Sequence, residues 1–223
     1  MAVVDDKLLM VGGKEIDGGL HTKAEYMDNG VWVPVDDNVT LSSYKLSRPC
    51  MVGWQSSGYL LGGDDYASGT VHTYIWKLDF DQSPLKWEKH SHLLNGRYSH
   101  GCAVMKVRGE PHIISAGGLS NAYETYEAKI VSSVELLNLV TGRRAFTASL
   151  PKPLWGGSLI LAGTKLFYVG GVDPYGEPSD MAYEYTPRPG SDYVPENTEI
   201  RSFWKEHRLN ISSPTSIALA YNE

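Results

Sequence analysis

The chain is a succession of short apolar runs separated by turn residues, and four of the runs end alike. Leu8-Leu9-Met10-Val11 leads into Gly12-Gly13, and Tyr59-Leu60-Leu61 into Gly62-Gly63. Ile113-Ile114-Ser115-Ala116 leads into Gly117-Gly118, and Leu166-Phe167-Tyr168-Val169 into Gly170-Gly171. The first glycines stand at 12, 62, 117 and 170, so the steps are 50, 55 and 53 residues. Recurrence at a period of about 50 residues marks a repeat architecture. An apolar run without polar alternation reads as a strand buried on both faces. The two glycines after it mark a place where a Cβ has no room or where φ must be positive. Gly18-Gly19 and Gly156-Gly157 lack the preceding apolar run. The first reads as loop and the second as the start of a strand.

Three further strands group around each glycine run. A first strand precedes it at residues 49–54, 101–105 and 157–162, and a third follows at 23–27, 73–80, 134–139 and 181–186. The fourth carries Trp32, Trp87 or Trp204, and in the third repeat Phe146 of Arg144-Ala145-Phe146 stands in that place. Short strands at this spacing, split by Gly, Pro, Asn and Asp, predict an all-β chain. The nearest approach to a helical period, residues 121–131, is flanked by loop residues and has room for one turn. The opening Ala2-Val3-Val4, with a turn at Asp5-Asp6, reads as late in a repeat. The closing Ser216-Ile217-Ala218-Leu219-Ala220-Tyr221 reads as a first strand with no second strand after it. The expected organisation is one domain over residues 1–223. Its repeats span residues 1–48, 49–99, 100–156 and 157–213, and residues 214–223 form a returning or next inner strand.

Apolar strand, glycine pair, aromatic on the third strand and Trp on the fourth together resemble the kelch repeat. Arg97-Tyr98-Ser99-His100-Gly101-Cys102-Ala103 is similar to the usual lead-in to a kelch first strand, as is Leu150-Pro151-Lys152-Pro153-Leu154-Trp155-Gly156. The aromatic pair is Tyr26 and Trp32 in the first repeat, Leu78 or Trp76 before Trp87 in the second, and Tyr185 before a distant Trp204 in the fourth. The third departs most, with Leu137 and no Trp. The resemblance covers nearly the whole chain. It implies a β-propeller of four-stranded blades around a central channel. About four blades are visible where the family usually has five to seven, so an incomplete ring or a fragment of a larger propeller is expected. Ring closure by the last strand is the alternative.

Composition narrows the function classes. The chain is 42% hydrophobic and 21% charged, with a formal net charge of -6 and a pI near 5.6. It has apolar content for a core, and its charge argues against nucleic acid, which demands clustered Lys and Arg. No run approaches the roughly 18 apolar residues of a spanning helix, so no membrane partner is expected. The N-terminus has neither the basic region nor the apolar stretch of a signal peptide. A cytoplasmic location is therefore favoured, with an extracellular one open if a leader is missing. Two cysteines, Cys50 and Cys102, stand at equivalent first-strand positions and read as small buried apolar residues; the sequence by itself shows no bridging geometry.

Candidate chemistry is sparse. His90, His92 and His100 form the one dense histidine cluster, yet a metal site needs three imidazoles converging on one ion. Asp64-Asp65 would serve as acid and base only if buried close together, and adjacent acids in a turn are ordinarily solvated. The resemblance admits copper oxidase-like and sugar isomerase propellers, but both cysteines are already used as strand residues. No nucleophile elbow or phosphate-binding glycine loop is present, so neither catalysis nor a cofactor is expected. Asn38-Val39-Thr40 and Asn210-Ile211-Ser212 match the glycosylation acceptor pattern.

Antiparallel strands bring alternate connections to the same side. The loops after the glycine pairs therefore share a face with the connectors between repeats. Taken as residues 14–23, 64–70, 119–131 and 172–180, these loops hold Glu15, Asp17, Asp64, Asp65, Glu124, Glu127, Asp173, Glu177 and Asp180. Lys14, Lys23 and Lys129 oppose them, so nine acids less three bases gives -6. Tyr66, Tyr123, Tyr126 and Tyr175 lie in the same loops, and Arg48 and Arg97 end the connectors. Variable loops on a rigid scaffold carry function, and rim tyrosines make interface anchors. The expectation is a non-catalytic protein-interaction module holding a basic, extended segment of a protein. The alternatives are an enzyme with its site in the channel and an extracellular adhesion or scaffold domain.

Overall fold

The computed structural model describes residues 1–14, 20–35, 46–65, 68–121, 128–185 and 204–209. These residues are all-β, with no helix among them. Sheet 1 holds β1 (Ala2–Val4), β2 (Lys7–Lys14), β3 (Leu20–Asp28) and β4 (Val31–Pro34). A short β5 (Leu46–Ser47) follows. Sheet 2 holds β6 (Cys50–Trp54), β7 (Ser57–Leu61), β9 (Tyr74–Asp79) and β10 (Trp87–His92), with a two-residue β8 (Asp64–Asp65) after β7. Sheet 3 holds β11 (Gly101–Val107), β12 (Glu110–Ala116), β15 (Val134–Asn138) and β16 (Arg144–Thr147). Between β12 and β15, β13 (Leu119–Asn121) and β14 (Ala128–Ile130) pair with each other. Sheet 4 holds β17 (Ser158–Ala162), β18 (Lys165–Val169), β19 (Met181–Tyr185) and β20 (Trp204–Arg208).

Each large sheet is an antiparallel meander whose strands pair in chain order. The first strands stand side by side: β6 beside β1 and β11, and β11 beside β17. The approach is close. A Cβ on Gly53 of β6 would overlap the Val3 carbonyl of β1, and one on Gly101 of β11 would lie 2.9 Å from the Leu159 nitrogen of β17. Small residues there let the sheets lie face to face. Three apolar layers result. Val4, Leu9 and Ala24 of sheet 1 meet Leu60, Trp76, Leu78 and Trp87 of sheet 2. On the other face of sheet 2, Val52, Tyr59, Leu61 and Ile75 meet Cys102, Ile113 and Leu137 of sheet 3. Ala103, Met105, Ile114 and Leu136 of sheet 3 then meet Leu159, Leu166, Tyr168, Tyr183, Tyr185 and Trp204 of sheet 4. Alternation of side chains along each strand sends successive residues to opposite layers.

The buried-both-faces reading of the glycine runs holds where a sheet has neighbours on both sides. All of Ser57–Leu61 and Ile113–Ala116 is buried. In sheet 4, Leu166 and Tyr168 are buried but Phe167 and Val169 only partly, because they point away from sheet 3.

Three expectations are corrected. Ala2–Val4 is not the tail of a repeat: it pairs with β2 (Ala2 with Leu9, Val4 with Lys7) and supplies the first strand of sheet 1. In sheet 3 the place of the fourth-strand Trp belongs to Arg144, not Phe146. Register decides this, since Leu137 pairs with Arg144 as Leu78 pairs with Trp87 and Tyr185 with Trp204. Trp87 and Trp204 are buried, and the Trp204 indole N–H donates to the Ala148 carbonyl at 2.8 Å. Trp32 holds the equivalent register opposite Met27 but is 39% exposed, because it faces away from the layer shared with sheet 2. The third correction concerns the cysteines. Cys50 and Cys102 are joined in a disulfide between β6 and β11, so they are not separate apolar thiols. Nor are they equivalent in register: Cys50 pairs with Leu61, directly before its glycine pair, whereas Cys102 pairs with Ser115, one residue earlier in its repeat. Residues 214–223 lie outside the described residues.

Candidate functional site

The glycine pairs of sheets 2, 3 and 4 abut the connectors that join the sheets. In sheet 3, Gly117 has φ +66° and Gly118 φ +92°, values that L side chains rarely adopt. Gly117 abuts the connector leaving the sheet: a Cβ there would stand 2.5 Å from the Leu154 carbonyl oxygen. Gly118 abuts the connector entering it: a Cβ there would stand 2.7 Å from the Tyr98 carbonyl oxygen. The Gly118 N–H donates to that same Leu154 carbonyl at 2.8 Å. Sheet 2 repeats the device, with Gly62 against the Arg97 carbonyl, Gly63 against the Ser47 carbonyl, and Gly63 N–H donating to Arg97 at 2.9 Å. Gly170 and Gly171 have φ of 70° and 93°. In sheet 1, Gly12 has φ 67° and the β2–β3 register shifts between Val11 and Gly13.

In sheets 2, 3 and 4 the residue after the pair then bridges to its own connector. Asp64 pairs with Ser47 in the β5–β8 ladder, Leu119 with Tyr98, and Val172 with Trp155. One residue further along each connector is Arg48, Ser99 or Gly156, all at positive φ. The Ser99 N–H donates to the Arg48 carbonyl at 3.0 Å, and the Gly156 N–H to the Ser99 carbonyl at 2.8 Å. The connectors and the loop bases are thus tied by backbone hydrogen bonds from sheet 2 through sheet 4.

Side chains complete this base. Arg48 donates from Nε and Nη2 to the two carboxylate oxygens of Asp64, at 3.1 and 2.5 Å, and its guanidinium lies 4.2 Å from the centre of the Tyr98 ring. Asp64 is 3% exposed, so it is not a solvated turn acid, while the Arg48 side chain is 46% exposed. His72 stacks on Tyr74, and burial, opposed by Asp65 and Asp64, pulls its imidazole below the usual pKa. Asp65 accepts the Ser68 N–H in its own turn.

Arg97 turns inward. It is fully buried and donates to the carbonyls of Gly117 and Ser133, to Ser133 Oγ and to Glu135. Glu135 also accepts the N–H groups of Leu94 and Asn95, at 2.6 and 3.0 Å. Arg97 therefore pins a connector to sheet 3 and does not reach a partner, which corrects its assignment to the binding face. Tyr98 is legible in the sequence only as part of the Arg97-Tyr98-Ser99-His100-Gly101 lead-in, and Glu135, one acid in the run Val134–Leu137, carries no sequence signal of its role.

Of the rim residues, Tyr175 is 89% exposed, on a turn where Asp173 accepts the N–H groups of Tyr175 and Glu177. Glu177 is exposed, and Asp180 pairs with Arg208 at 2.9 Å. Asp64 and Asp180 thus have cationic partners, and the face is less acidic than its acids and lysines suggest. Tyr66, Tyr123, Tyr126, Glu15, Asp17, Glu124, Glu127 and both acceptor asparagines, Asn38 and Asn210, lie outside the described residues.

The histidines do not converge. His90 packs edge-on against Tyr59, whereas His100 is buried beneath Gly62 and Gly118, where burial, reinforced by Arg97, lowers its pKa to about 3. Among the described residues no group of three or more His, Cys, Asp or Glu gathers to hold a metal. No family model matches the chain, and no curated protein sequence matches it.

Proposed function

We propose that the chain forms a kelch-type β-propeller, or a part of one, and holds a protein partner on the face built by the glycine pairs and connectors, without catalysis. Support for the propeller comes from four four-stranded meanders with their first strands side by side. The glycine pair recurs at the same corner of sheets 2, 3 and 4.

The observation that carries the binding assignment is the tied base of that face. Ser99 bonds to Arg48 and Gly156 to Ser99, while each connector bridges to the loop of its own sheet. Loops projecting from a rigid base lose little conformational entropy on binding. Tyr175 and Glu177 stand exposed on one of them, and Arg48, held by Asp64 and Tyr98, sits at the margin. A tyrosine beside carboxylates suits a basic, extended protein segment.

The test is quantitative affinity capture with the wild-type chain, Tyr123→Ala and Tyr175→Ala, each at low and at high salt. At least one partner is expected to be retained by the wild type, weakened by salt and reduced by the tyrosine variants. A partner indifferent to salt and to both substitutions would move the site to the opposite face.

A further inference from the structure

Cys50 opens β6 and Cys102 is the second residue of β11, so their bond joins the first strands of two sheets. Their Cα atoms are 6.0 Å apart, within the ordinary span of a disulfide, and the closed loop has a sequence separation of 52. The bond sits at the layer with the most polar packing. In sheet 3 the cross-strand pair Ser115 and Glu135 takes the repeat position of Leu60 and Trp76 in sheet 2, and of Tyr168 and Tyr183 in sheet 4. Arg144 takes the position of Trp87 and Trp204. Arg97 is buried against this polar strip. At these three sheet-3 positions polar side chains replace the large apolar ones of sheets 2 and 4, beside an otherwise apolar layer, and the disulfide adds a covalent tie between the same two sheets. Other roles for the thiols lack support. Among the described residues no His, Asp or Glu group gathers with the two cysteines to hold a metal, and their separation is not that of a redox dithiol motif.

We propose that the Cys50–Cys102 bond is a permanent structural cross-link, and that the chain matures and works in an oxidising compartment. Thiols of the reducing cytosol do not persist as disulfides, whereas those of secreted, lumenal and cell-surface domains do. The proposal takes up the extracellular location left open by the sequence in place of the cytoplasmic one favoured from its N-terminus.

The test expresses the full chain behind a secretion leader and, in parallel, in the cytosol, with free thiols trapped by N-ethylmaleimide before lysis. The secreted chain is expected to take no label and to yield a peptide pair linking Cys50 to Cys102. The cytosolic chain is expected to take two labels. Its unfolding equilibrium constant in urea should be larger on the order of a thousand-fold, as loop closure over this separation implies. In cells that make the protein naturally, trapping in situ should leave both sulfurs unlabelled. Two labels on that native protein overturn the proposal, as does a reduced cytosolic chain that resists urea as well as the secreted one. A secreted Cys50→Ser/Cys102→Ser chain should lose the same stability as the reduced one; if it does not fold, labelling of the wild type still decides.

Discussion

Replacing Gly117 by alanine adds one methyl group and tests what the glycine pair does. The φ of +66° is the first term: an L residue held there costs about 1–2 kcal/mol. The second term is contact. The new Cβ would stand 2.5 Å from the Leu154 carbonyl oxygen, and backbone cannot swing aside as a long side chain can. The connector must move, and the 2.8 Å bond from Gly118 N–H to that carbonyl is lost or distorted. A buried backbone group left unpaired costs about 1–3 kcal/mol. The two terms together give about 3 kcal/mol, or a fall in Tm of roughly 6–12 °C for a chain of this size. Gly163→Ala is the control. Its φ is +62° and nothing lies within 4 Å of a Cβ there, so it carries the conformational term alone, about 1–2 kcal/mol. Urea unfolding of both variants measures the difference. If Gly117→Ala and Gly163→Ala destabilise equally, the close approach to the Leu154 connector contributes nothing and the packing explanation of the glycine pair is wrong. Gly117→Val should be worse than alanine, since Tyr168 Oη at 3.0 Å and Leu150 Cδ1 at 3.3 Å already crowd the same Cβ.

His100 gives a pH signature. Its folded pKa of about 3 lies below the unfolded value of 6.5, so the unfolded chain binds the extra proton between them. This contribution to stability is complete above about pH 6.5 and is lost as pH falls toward 3, with a slope of up to about 1.4 kcal/mol per pH unit. Urea midpoints against pH for the wild type and His100→Gln should show that slope and its flattening; parallel curves would mean that another group governs the acid limb. Glu135→Gln leaves the buried Arg97 guanidinium without its counter-charge and should destabilise the fold by about 3–5 kcal/mol. A double-mutant cycle that combines it with Arg97→Met, read in urea, should show strong coupling between the two, and would fail to show it if the pair were solvent-screened.

The sequence by itself determined the longer strands around each glycine pair and the corners at which they turn, but not that Ala2–Val4 completes sheet 1 or that the short β5, β8, β13 and β14 form. Those strands and corners are local consequences of side-chain type: apolar runs form strands, and a glycine pair permits backbone at positive φ. Even the spacing of the sheets was present in the recurrence of Gly62, Gly117 and Gly170. Partnership between distant residues was not legible. Arg97 and Arg48 look alike as connector arginines, yet one is buried under Glu135 and the other lies half exposed across Tyr98. Asp64 and Asp65 look like twin turn acids, and only the pairing of β8 with β5 turns Asp64 inward to Arg48. Trp32 and Trp87 share a register position, but sheet 1 buries one and leaves the other facing away from the shared layer. The link between Cys50 and Cys102 depends on β6 lying beside β11. In every case the deciding quantity is which face of a sheet meets another sheet. That is set by how first strands approach one another, not by any property of the residues read along the chain.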